Sequence, residues 1–148
     1  MDEVTAMNAS KDVLTSVLHT AQMGISGIEA VKHKAQKPEL RQFLQEQQDE
    51  YSRIEAESMR LAQKKGWQLP HRSVMADTMS CMAAKCKVMM GDKDSAIADM
   101  LIQGNTRGMI NGIKHLHQNK QLDASVNQIA ETLLNLENMN IQKSQRFL

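Results

Sequence analysis

Aromatic residues are scarce in this chain. Phe, Trp and Tyr make up 3% of its 148 residues, which leaves few platforms on which unpaired bases could stack. Charge of one sign is also missing, since 18 Lys and Arg stand against 17 Asp and Glu for a net charge of +1. Nucleic acid and anionic membrane are therefore not expected as partners. The two cysteines, Cys81 and Cys86, are too few for a disulfide scaffold and are not spaced as a CxxC, so a reduced, cytoplasmic setting is expected. No apolar run approaches the roughly 18–20 residues of a membrane-spanning helix. The acidic start, MDEVTAMNASKD, has neither the basic nor the apolar region of a signal peptide. Two prolines and seven glycines, none clustered, leave no room for a long linker, and the length is that of a single domain with a real core. No Ser-His-Asp order, phosphate-cradling loop or Cys/His finger is present.

What the chain does have is helical periodicity, organised around MLIQGNTRGMINGI at 100–113. Gly104, Gly108 and Gly112 recur every four residues and so share one helix face. A glycine inside a helix costs roughly 1 kcal/mol relative to alanine, so the stripe implies an offsetting gain, the close approach of a neighbouring backbone. Gly24 and Gly27 form a second, weaker stripe near the start. Glycines at this spacing also mark membrane helix pairs, but Gln103, Asn105, Arg107 and Asn111 interleave them here, which favours packing in water.

In chain order, residues 1–8 are either a frayed start or a first helical turn. From Ser10, which can cap a helix with Asp12 in its first turn, Leu14, Val17, Leu18, Ala21, Ile25, Ile28 and Val31 follow helical spacing. The pattern stops near Lys34–Lys37, and Pro38 suits the first turn of the next helix. That helix runs to Lys65 on Leu40, Phe43, Leu44, Tyr51, Ile54 and Leu61, with Lys64 and Lys65 in its last turn and Gly66 to end it. After GWQLPHRS comes a sulfur-rich face, in which Met75, Met79, Met82, Cys86 and Met89 alternate steps of four and three. Gly91 closes it, and Asp92 or Asp94 can cap the helix expected over 95–119. A turn near Lys120–Asp123 leads into the last helix, built on Val126, Ile129, Leu133, Leu136, Ile141 and Phe147.

The two halves are alike. Gln22-Met23-Gly24-Ile25 matches Thr106-Arg107-Gly108-Met109, and Glu50 to Ile54 matches Glu137 to Ile141. If Gln22 lies level with Glu50, and Thr106 with Glu137, the chain folds back near Gln36 and near Gln121, where the periodicity breaks. Two helical hairpins, 10–65 and 95–148, joined by a crossover at 66–94, make an all-α, up-down-down-up four-helix bundle with an extra amphipathic helix in the crossover. On this arrangement, and on HTAQMGISGI, QQDEY and MLIQGNTRGMI, the chain resembles the ferritin-like superfamily. It is similar in particular to small bacterial ferritin-like proteins of unassigned function whose first helix carries an AQMGI-type segment.

The resemblance implies a di-iron site in which two helices each supply a Glu and two each supply Glu-x-x-His, because i and i+3 share a face. Carried over by position, the Glu-x-x-His pairs become Glu50-x-x-Arg53 and Glu137-x-x-Asn140, and the lone glutamates become Gln22 and Thr106. Only Glu50 and Glu137 keep a ligand, and Arg53 brings a cation to the metal's place. The reading favoured by these residues is an intrahelical Glu50–Arg53 pair in a polar core network with Gln22, Thr106, Glu137 and Asn140. No cofactor is favoured; the alternative is a non-standard iron or other metal site made from His19, Glu50 and Glu137.

Thioether and thiolate on the Met75–Met89 face also admit copper(I). Methionine more simply fills irregular core gaps or makes an adaptable binding face, so burial within the protomer and in a homodimer is expected, with a protein partner as a further use. His115 and His117 point about 200° apart on a helix and cannot chelate together. The function expected is that of a non-enzymatic structural or interaction module that has lost di-metal chemistry.

Overall fold

In the computed structural model, which describes residues 2–70, 91–119 and 121–148, no strand occurs among the described residues. Among the described residues four long helices carry the fold: α1, Glu3–Val31; α2, Pro38–Lys65; α3, Lys93–Gln118; and α4, Ala124–Ser144. Single 3-10 turns follow α1 at Lys32–Lys34 and α4 at Gln145–Phe147. The sulfur-rich face of Met75, Met79, Met82, Cys86 and Met89 lies outside the described residues.

Local chemistry sets most boundaries. Pro38 occupies the first turn of α2, where its missing N–H costs nothing. Gly66 ends that helix with φ 69°, a left-handed conformation that suits glycine, and Trp67 N–H reaches back to Ala62 O at 2.9 Å. Asp92 accepts from the Asp94 and Ser95 N–H groups at 3.0 and 3.3 Å, and Asp123 does the same for Ser125 and Val126 at 2.9 and 3.4 Å. Both begin a helix by satisfying N–H groups that lack an intrahelical acceptor.

The start of α1 corrects the sequence reading. Asp2, not Ser10, is the cap, accepting from Thr5 N–H at 2.7 Å, so α1 begins at Glu3. Ser10 is buried inside the helix, where its hydroxyl accepts from the Asp123 N–H at 2.9 Å. A short polar side chain followed by an acid looks the same in sequence whether it caps its own helix or receives the start of another.

Within each hairpin, later residues of the second helix meet earlier residues of the first. Gln48 donates to Ile25 O and Glu29 Oε2, Tyr51 lies on Gly24, and Pro70 O is 3.3 Å from His19 Nε2. Likewise Asn140 bonds Asn105, while Glu137 lies on Gly108 and Leu134 on Gly112. Both hairpins are therefore antiparallel. Two clips fix them together. Buried Asp94 accepts from the N–H groups of Gln36 and Lys37 at 2.7 and 2.9 Å, which pins the start of α3 to the α1–α2 turn. Asp123 meets Ser10 and, at 2.7 Å, Lys65, which pins the start of α4 to the opposite end.

Leu14, Val17, Ile28, Leu40, Leu44, Ile97 and Val126 are among the buried residues of one hydrophobic core. Phe43 and Phe147 stack across one end, centroids 6.0 Å apart. α3 is embedded unevenly: its buried residues are Asp94, Ile97, Ala98, Met100 and Asn105, and beyond Asn105 its described side chains are half-buried or exposed. No helix among the described residues is long and apolar enough to cross a membrane.

Candidate functional site

Polar side chains from three helices meet in the middle of this core, and two glycines make the room. A Cβ on Gly24 would stand 2.6 to 2.8 Å from three atoms of the Tyr51 ring, and one on Gly108 would stand 2.0 Å from Glu137 Oε2. A Cβ at either position would force its neighbour to shift, a rigid ring at Gly24 and the far end of a flexible side chain at Gly108. The stripe thus admits side chains rather than a neighbouring backbone. Gly112 is looser, with Leu134 Cδ2 at 3.0 Å from its virtual Cβ, and Gly27 is buried. Gly104 corrects the packing expectation: it is exposed, and nothing among the described residues lies within 4 Å of the Cβ it lacks.

Asn105 is the hub. Its Oδ1 accepts from Tyr51 Oη at 2.7 Å and from Asn140 Nδ2 at 3.4 Å, while its Nδ2 donates to Leu101 O at 2.7 Å. Ser144 Oγ donates to Asn140 O at 2.6 Å and extends the polar row along α4. Glu137 is 1% exposed, and its Oε1 has no hydrogen-bond partner among the described residues. Burial disfavours the charged form and pushes its carboxyl up to about 8. Tyr51 is pushed above the ordinary phenol range, first by burial and then by the nearby Glu137 charge. Burial favours the neutral form of both groups. Gln47, 2% exposed, adds an amide of which neither polar atom has a partner among the described residues.

The Gly108 notch adjoins a cavity of about 10 Å³ between α1, α3 and α4, bordered by Ser16, Thr20, Gly112 and His115. That is space for one water, not for an organic substrate.

Of the expected network, Glu137 and Asn140 lie in the core. Arg53 and Thr106 are exposed and Gln22 is half-buried, which corrects their placement in a polar core. Glu50 and Arg53 do form the intrahelical ion pair, on the surface. The inward row of α2 is Gln47, Tyr51, Ile54 and Ser58, one position away from Glu50, and one position is a 100° rotation. His19, Glu50 and Glu137 are not brought together: no group of three His, Cys, Asp or Glu able to hold a metal ion occurs among the described residues. The one carboxyl that the described residues bring together with amides and a phenol does not fit a di-iron centre, which needs several carboxylate oxygens.

Sequence reasoning missed Tyr51 and Asn105 as site residues. Asn105 shares a face with Leu101, Gly108 and Gly112, and a polar residue on an inward glycine stripe was the available signal. Searches of family models, curated proteins and solved structures found no match to this chain.

Proposed function

We propose that this chain is a ferritin-like bundle of up-down-down-up order that has lost di-metal chemistry and works as a non-enzymatic structural or interaction module in the bacterial cytoplasm. The observation that carries this reading is the mid-bundle polar layer. It holds a single carboxyl, Glu137, raised to about 8, beside Tyr51, Asn105 and Asn140, while Glu50 is paired with Arg53 at the surface. A buried polar network of this kind fixes helix register without doing chemistry. The helix directions set by the Asp94 and Asp123 clips support the bundle order. The methionine face at 75–89 supports a homodimer or a protein partner on the sequence pattern alone.

Metal content tests the reading. The untagged protein, purified without chelators, is challenged anaerobically with ferrous iron and separately with copper(I), then measured by mass spectrometry. No metal beyond a small fraction of the protomer is expected. About two irons per chain would overturn the proposal, and copper(I) alone would move the function to the sulfur face.

A further inference from the structure

We infer that the groove between α2 and α4 is a docking site for an acidic amphipathic helix of a partner protein, an inference that rests on the interaction-module reading. The groove encloses about 290 Å³, too shallow and open for a small molecule to be buried but suited to a row of side chains. Its floor is apolar, made by half-buried Leu61 and Ile129. Its α2 wall is charged in a fixed order: Glu57, then Arg60, then Lys64, all exposed. The α4 wall presents Ser125 and Gln128 and no charge.

Charge complementarity selects the occupant. Arg60 and Lys64 are one helical turn apart, on the same face, and neither belongs to an ion pair among the described residues, whereas neighbouring Lys65 is taken by Asp123. Two free cations one turn apart match two carboxylates at the same spacing on another helix. Glu57, one turn earlier, matches a cation preceding them. Leucine-like side chains on the partner's next face would cover Leu61 and Ile129. The apolar floor supplies affinity, and the charge order supplies register and selects against basic partners.

The test uses the full chain and a labelled synthetic helix of about 14 residues, with Leu on one face and one Lys and two Glu spaced to match. Fluorescence anisotropy should show saturable binding that weakens about tenfold or more in the Arg60→Glu/Lys64→Glu double variant. A peptide with its Glu and Lys exchanged should recover binding to a variant that also carries Glu57→Lys. These positions are exposed, and circular dichroism checks that the variants stay folded. Undiminished binding by the double variant, no saturable binding, or association only with anionic phospholipid vesicles each overturns the inference. Such a failure in a metal-free protein leaves the bundle reading standing, whereas two bound irons overturn that reading whatever the peptide does.

Discussion

Gly24 and Gly108 stand at matching points of the two hairpins, each opening a notch for a large polar side chain from the second helix. In the α1–α2 hairpin the guest is Tyr51, a rigid ring whose hydroxyl is satisfied by Asn105. In the α3–α4 hairpin it is Glu137, a flexible chain whose Oε1 has no partner among the described residues. A phenol can be buried at little cost once its single hydroxyl is bonded. A carboxyl has two oxygens to satisfy, and without a cation it enters the core by keeping its proton. The same backbone device therefore yields a passive contact in one hairpin and a titratable one in the other. The surroundings differ in the same sense, because α1 is buried along most of its length while α3 has no buried residue after Asn105.

The sharpest way to separate the hairpins is pH. Glu137 has its folded value raised from 4.5 to about 8, so the folded state binds its proton more tightly than the unfolded chain. Its contribution is complete below pH 4.5 and is lost as pH rises through 8. Denaturant unfolding of the wild type should lose on the order of 4 kcal/mol over this window relative to Glu137→Gln. Parallel pH profiles for the two proteins would remove the distinction between the hairpins.

A smaller effect tests the notches themselves. Gly24→Ala must displace a rigid ring and should cost about 2 kcal/mol, after allowing for the gain in helix propensity. Gly108→Ala meets the far end of a flexible chain with a small cavity beside it, and should cost about half as much. If Gly108→Ala proves the more damaging, the carboxyl is held more rigidly than the ring. The smallest effect is expected at Gly104, where alanine meets no atom of the described residues and should stabilise the helix by about 0.5–1 kcal/mol. Destabilisation there would mean that Gly104 is covered in the working protein, most simply by a partner.

How much of this was legible in the sequence depends on the range of the interaction concerned. Pro38 starts α2 through the fixed geometry of its ring, and Gly66, Asp92 and Asp123 delimit helices through bonds to residues within a few positions of themselves, so local pattern located the turns and the two antiparallel hairpins. Ser10 misled because its partner, Asp123, is remote in the chain. The polar layer was only half visible for a related reason. On α2 the periodicity already set Tyr51 on the inward face, and the ligand pattern implied by the resemblance drew attention to its neighbour Glu50; on α3 it likewise pointed to Thr106 rather than the adjacent Asn105. A helix rotates 100° per residue, so that choice reassigns the whole site. By itself the sequence determined the helical periodicity, the turn before Pro38 and the end of α2 at Gly66, but not the start of α1 or what the glycines admit. Only the tertiary structure decided the rotation of each helix about its axis, which sets Tyr51 against Gly24 and Glu137 against Gly108.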